Sequence, residues 1–244
     1  MMRPDSIVCR GYDEVSLLAA AMLARQIRRN PASVLGLPTG STPTGMYHRL
    51  AEMHRREGLD FSRVRTFNLD EYYPMEKGHS QSYHRYMWEN LFSRVNANPE
   101  NVHIPNGECG DPEKECADYE RLVAEAGGAD IQVLGIGVDG HIGFNEAGRE
   151  LRPATHLADL SPSTREANAR FFGSLAEVPA KAITMGMGTI MQAKSILLLI
   201  SGEGKAPVAK KFFSGAITTD VPATLLHLHR DVTVILDEAA AALL

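Results

Sequence analysis

Asp139, His141 and Glu146 fall within eight positions in Gly135-Ile-Gly-Val-Asp-Gly-His-Ile-Gly-Phe-Asn-Glu146, directly after an apolar run. An imidazole flanked by two carboxylates can move protons near neutral pH. The four glycines of this stretch let the backbone turn sharply and let a ligand come close to it. The competing reading is an ordinary tight turn after a core strand, with His141 capped by a neighbouring acid. Leu37-Pro-Thr-Gly-Ser-Thr-Pro43 reads as strand end, small-residue turn and helix start. Exposed amides and the helix dipole make such a place attractive to an anion. Thr39, Ser41 and Thr42 add hydroxyl donors around Gly40. No lysine follows the glycine, so this is neither a Walker A loop nor a dinucleotide fingerprint. Its alternative is a plain helix start.

Asn68-Leu-Asp-Glu-Tyr72 puts two acids after a strand. If the strand persists, side chains alternate, so only one of Asp70 and Glu71 faces a given pocket. Arg170 and Lys205 are the candidate phosphate cations; Arg offers a planar fork and Lys a point charge. Either alone is more often a surface charge. His227-Leu-His229 has ligand-like spacing, but no nearby acid or cysteine completes a metal set, so it reads as structural.

The elements that must position these groups alternate. Asp13 to Arg29 reads as an amphipathic helix with Val15, Leu18, Met22 and Ile27 on or near one face. Strands are expected at Ser33 to Leu37, Arg65 to Leu69, Ala129 to Ile136, Ser195 to Ile200 and Asp231 to Leu236. Further helices are expected from Pro43 to about Glu57, from Gln81 to Arg94, after Asp111-Pro112, from about Lys205, and over Val221 to Leu228. Ala182 to Gly188 is apolar with a glycine turn. Strands that are apolar throughout imply a parallel sheet covered on both faces. The expected fold is α/β: one doubly wound, mostly parallel, Rossmann-like sheet in a single domain over residues 1–244. Ligands of such sheets bind beyond the carboxyl ends of the strands, where Thr39 to Thr42, Asp70-Glu71 and Asp139 to Glu146 all stand.

The 244 residues are 44% apolar and 23% charged, as in ordinary globular chains. A formal net charge of −5 argues against nucleic-acid and membrane-surface partners, though not against one phosphorylated small molecule. The three cysteines, Cys9, Cys109 and Cys116, suggest neither a disulfide framework nor a zinc site. With no apolar leader at Met1-Met-Arg-Pro-Asp-Ser6 and no spanning run, a cytoplasmic protein is expected.

At these residues the chain resembles the glucosamine-6-phosphate deaminase family, whose wider superfamily includes 6-phosphogluconolactonases. The likeness covers Leu35 to Pro43, Thr66-Phe-Asn-Leu-Asp-Glu-Tyr72, Ser82-Tyr-His-Arg-Tyr86, Gly135 to Glu146, Asn168-Ala-Arg-Phe-Phe172, Thr184 to Thr189 and Gly202-Glu-Gly-Lys205. It implies that Asp70 moves a proton between carbon 2 and carbon 1 of the opened sugar. It implies that His141, oriented by Asp139 and Glu146, assists ring opening. Thr39, Gly40, Ser41, Thr42, Arg170 and Lys205 would hold the 6-phosphate. No metal and no cofactor is implied.

The chain also departs from the family. Ala147-Gly148 stands where Pro-Gly is common, and Arg149 to His156 differs from the usual Ser-rich pattern. In larger hexameric members that region supplies basic residues to an allosteric site for N-acetylglucosamine 6-phosphate; here His156 and Ala158 stand at those places, and the chain stops soon after Asp237-Glu238. A monomer or small homo-oligomer is therefore expected. The alternatives are deamination of galactosamine 6-phosphate, hydrolysis of 6-phosphogluconolactone, and a silent sugar-phosphate sensor. Retention of Asp70, Asp139, His141 and Glu146 weighs against the sensor, which would need only the phosphate contacts.

Overall fold

Ser195-Ile-Leu-Leu-Leu-Ile200 has no polar face because both of its faces are covered, and the same holds for the strands beside it. The computed structural model describes residues 4–244; part of the N-terminal stretch expected to lack a leader lies outside them. In chain order the elements are β1 (Asp5–Cys9), α1 (Tyr12–Arg29), β2 (Val34–Leu37), α2 (Ser41–Glu57), β3 (Arg65–Asn68), β4 (Asp70–Tyr73), α3 (Tyr83–Asn90) and β5 (Val102–His103). There follow α4 (Pro112–Glu125), β6 (Ile131–Gly135), β7 (His156–Asp159), α5 (Pro162–Ala169), β8 (Lys181–Thr184), α6 (Met187–Met191), β9 (Ser195–Ile200), α7 (Ala206–Phe213), β10 (Val232–Asp237) and α8 (Glu238–Ala241).

Seven strands form one parallel sheet in the order β1-β10-β9-β6-β2-β3-β5. Residues of α1, α2 and α3, such as Val15, Leu23, Tyr47, Leu50 and Met87, close one face. Residues of α4, α6 and α7, such as Tyr119, Ile190 and Phe212, close the other. The strand order reverses between β2 and β6, because β2 leads outward to β3 while β6 leads the opposite way to β9. The loops after β2 and β6 therefore part at this point and leave a crevice, the usual ligand position in such sheets.

The doubly wound α/β sheet is as the sequence implies, with two additions. β1 pairs in parallel with β10 at the sheet edge, and its short, mostly exposed sequence carries little strand signal. A second sheet, β4-β8-β7, is antiparallel. The chain does not stop being a strand at Asp70 but leaves the first sheet after Asn68 and enters the second.

Smaller differences have local causes. Ser82, not Gln81, caps α3, accepting from the Arg85 N–H, and the helix ends at Asn90 before a single turn over Phe92–Arg94. Pro222–Leu228 is a 3-10 segment, as is Glu203–Lys205 ahead of α7. The buried face of α1 runs through Val15, Ala19, Leu23 and Ile27, with Leu18 and Met22 on its flank. Small residues let α1 and α2 approach closely: a Cβ on Gly45 would lie 2.3 Å from Ser16 Oγ.

Candidate active site

A cavity of about 390 Å³ opens at the switch point between β2 and β6. Thr39, Gly40, Ser41, Thr42, Asp70, His141, Arg170 and Lys205 line it. Asp139 and Glu146 do not; they stand behind the imidazole.

The wall after β2 is the start of α2. Gly40, at φ +99, makes the entry turn, a conformation that side-chain-bearing residues rarely adopt. Among the described residues no side chain caps this helix, which leaves its first N–H groups for a ligand. The loop's carbonyls are turned away from the cavity onto tyrosine hydroxyls. Tyr47 donates to Pro38 O, Tyr86 to Gly40 O at 2.7 Å and Tyr12 to Ser41 O at 2.9 Å. Carbonyls held back and amides left free make a cradle for an anion.

Two cations face that cradle. Lys205 Nζ donates to Ile136 O at 2.7 Å, which ties it to the end of β6. Burial pulls its pKa down, the nearby Asp139 pushes it up, and Arg170 pulls it down again. A bound anion would repay that desolvation. The Arg170 guanidinium lies 4.6 Å from the centre of the exposed Phe171 ring, at the end of α5.

Opposite stands Asp70, 5% exposed, at the start of β4. Its register partner across the antiparallel pair is Thr184, whose hydroxyl accepts the Phe144 N–H at 3.1 Å. Asn145 Nδ2 donates to Ile142 O and Met185 O, so the glycine-rich loop is pinned to β8 beside Asp70. A Cβ on Gly143 would lie 2.9 Å from Thr184 Oγ1 and 3.3 Å from Asp70 Oδ2, at φ +59, so the loop can come this close only with glycine. Burial, and secondarily the charge of Glu71, push the Asp70 carboxyl up to about 8. Glu71 points the other way, as strand alternation requires, and does not line the cavity.

His141 is held by Asp139, with Nδ1 2.7 Å from Oδ1. The two groups are in direct contact, and the Nδ1 atom has no other partner. The imidazole in turn holds Asp139 down to about 2. Contact at Nδ1 leaves Nε2 for a ligand. The ring lies against Gly137, where a Cβ would come within 2.3 Å of it. Glu146 accepts from the Ser161 N–H at 3.3 Å and so joins the loop to the start of α5. Among the described residues, Asp139, His141 and Glu146 are the one cluster whose donor atoms, all within 4.8 Å of one another, could hold a metal ion. Two of its carboxylate oxygens already engage the imidazole and the Ser161 amide.

Sequence reasoning assigned no role to Tyr83, a partly buried phenol that lines the cavity beside Thr39 and packs on the Tyr72 ring. No local pattern marks it: its partners lie far along the chain. His227 and His229 spend ring nitrogens on the carbonyls of Phe212, Ala193 and Asp231.

The sequence pattern of the family described as glucosamine-6-phosphate isomerases/6-phosphogluconolactonase matches residues 12–235. A glucosamine-6-phosphate deaminase of Thermoanaerobacter sp. (strain X514) is 52% identical over 238 residues, covering 98% of this chain and 94% of that protein. One of Clostridium perfringens (strain 13 / Type A) is 52% identical over 98% of both chains. A solved structure of a monomeric glucosamine-6-phosphate deaminase superposes with a TM-score of 0.96 at 47% identity, covering 98% of this chain and 100% of that one. By sequence pattern, by identity over nearly its whole length and by fold, the chain belongs to the glucosamine-6-phosphate isomerase/6-phosphogluconolactonase family.

Proposed function

We propose that this chain converts glucosamine 6-phosphate to fructose 6-phosphate and ammonia, by aldose–ketose isomerisation followed by deamination. One observation carries the reading: a buried carboxyl, Asp70, shares a single cavity with an anion cradle and a carboxylate-held imidazole. The relatives with this name and near-complete coverage support the same substrate.

The roles follow from position. The uncapped start of α2 at Thr39 to Thr42, with Lys205 and Arg170, holds the 6-phosphate. His141, steadied by Asp139 and Glu146, takes the proton of the carbon-1 hydroxyl and delivers it to the ring oxygen as the bond from that oxygen to carbon 1 breaks, which opens the sugar. The aldehyde so formed acidifies the hydrogen on carbon 2. Asp70 takes that proton while the oxygen on carbon 1 gains one from the neighbouring ammonium, giving an enol that bears the amine; Asp70 then delivers its proton to carbon 1. Carbon 2 is then an imine; water adds there and ammonia leaves. A lactonase needs a base for water but no base for a carbon-bound proton, so a carboxyl buried as Asp70 is favours the isomerase.

The reading extends to one catalytic domain over residues 1–244 that works without cofactor, metal, nucleic acid or membrane, in the cytoplasm. Among the described residues no helix is long and apolar enough to cross a membrane. The test offers the purified chain glucosamine 6-phosphate, galactosamine 6-phosphate and 6-phosphogluconolactone, and follows ammonia, ketose and acid. Equal amounts of ammonia and fructose 6-phosphate from the first are expected. Acid from the lactone with no ammonia from either amino sugar would overturn the reading.

A further inference from the structure

Glu71 is 2% exposed, yet it has three backbone partners. Oε1 accepts from the N–H groups of Tyr72 and Tyr83, and Oε2 from that of His84, each at 2.9 Å. Tyr83 and His84 are the first two residues of α3, so this carboxylate sits on the positive end of a helix dipole. Three N–H bonds and a helix terminus favour its anion. Its chain neighbour Asp70 has, among the described residues, no hydrogen-bonding side chain or amide to stabilise a charge of its own, and faces the cavity instead.

The geometry points to Glu71 as a positioning residue: a fixed buried anion that makes Asp70 a stronger proton acceptor and, by capping α3, holds Tyr83 against the cavity. This rests on the proposed role of Asp70 as the base. The other groups around Asp70 supply no competing negative charge. Tyr72 on its own strand, Tyr83 from α3, Tyr47 from α2 and Tyr119 from α4 are all phenols whose pKa burial raises, so they stay neutral. The cations Arg170 and Lys205 and the imidazole of His141 share the cavity, toward its anion-binding and loop sides. Burial raises both carboxyls, but only Glu71 has N–H bonds that pull it back down, while the charge of Glu71 raises Asp70 further, so the proton of the pair belongs on Asp70. The two titrate as a coupled pair.

Two variants and one direct measurement test this on the full chain. Glu71→Gln removes the charge but keeps the size and one acceptor oxygen. The acid limb of kcat/KM is expected to move down by about one pH unit or more, with a lower plateau because the base is weaker. Ser82→Ala removes the other cap of α3, the bond to the Arg85 N–H, without touching charge, and should leave the limb where it is. An unmoved limb in Glu71→Gln, or an equal shift in Ser82→Ala, would overturn the assignment. Carboxyl-carbon NMR of the wild-type chain needs neither variant nor substrate. Glu71 is expected to ionise at lower pH than Asp70; the reverse order sinks the inference. Because that titration is independent of turnover, it decides the matter even if glucosamine 6-phosphate proves not to be the substrate.

Discussion

An amide at position 70 keeps the shape of the carboxyl but cannot take a proton from carbon. Asp70→Asn is therefore expected to lower kcat by about a hundredfold to ten-thousandfold, with phosphate-dependent binding largely kept; near-normal turnover of the purified variant would reassign the base. The same substitution is expected to stabilise the fold, and the sign can be worked out. The folded-state pKa is raised from 3.8 to about 8. Below the lower value both states hold the proton and nothing changes. Between the two values the folded state binds more protons, so wild-type stability falls as pH rises, and the full cost remains above about 8. Thermal melts should show Asp70→Asn gaining on wild type from acid to mildly alkaline pH, then holding level; a gain confined to acid pH would contradict the raised pKa. His141→Gln is expected to hurt the closed-ring substrate more than an open-chain analogue, since the open form bypasses ring opening; equal losses would place His141 in proton transfer or binding instead. These residues were legible because each sits in a short run of unusual composition. The division of labour between Asp70 and Glu71 was legible only as strand alternation. The burial that raises Asp70 was not, since Gly143 and Thr184 close over it from other elements.

Among the elements, the start of α2 shows how a helix terminus becomes a binding surface. Among the described residues no side chain caps it, which leaves its amides for a ligand, and its carbonyls are held by hydroxyls from α1, α2 and α3. The Tyr86 hydroxyl also contacts Thr44 Oγ1 at 2.8 Å, so one phenol braces both Gly40 and the first turn. Tyr86→Phe removes that brace with little change of shape. A net hydrogen bond contributes about 1 kcal/mol, so inorganic phosphate or the sugar phosphate should bind roughly threefold to tenfold more weakly. Calorimetry with phosphate checks this, and unchanged affinity would mean that the loop is rigid without the tyrosine. Strand, turn and proline gave this element away in the sequence. The small sheet β4-β8-β7 did not show itself, because each strand is four residues long and pairs with partners far along the chain. Such pairing leaves no local periodicity to read.

For the whole molecule, the parallel sheet explains why sites separated by more than a hundred residues meet: β2 and β6 are neighbours, and the loops at their carboxyl ends diverge there. That was legible, since apolar strands alternating with helices admit few topologies. Regulation depends on what lies outside this crevice. Ala158 is buried on β7, and His156 Nδ1 donates to Ala154 O, its pKa lowered by burial. Neither can present a fixed cation to a second dianion. The loop before them is held in one place. Thr155 N–H and Oγ1 and Thr189 Oγ1 all meet Glu120, while the N–H groups of Met187 and Thr189 donate to Arg152 O and Pro153 O. Gly186 and Gly188 let it pack so closely that a Cβ on either would fall within 2.8 Å of its backbone. A loop clamped by a carboxylate and by backbone bonds can move only by breaking them, and cooperativity requires two global states that ligands distinguish. Rates are therefore expected to rise hyperbolically with amino-sugar phosphate, with no activation by N-acetylglucosamine 6-phosphate. Initial-rate curves with and without the acetylated sugar phosphate decide the point. A sigmoidal curve that it makes hyperbolic would refute the expectation and direct attention to Arg149 and Arg152, the exposed cations of that loop.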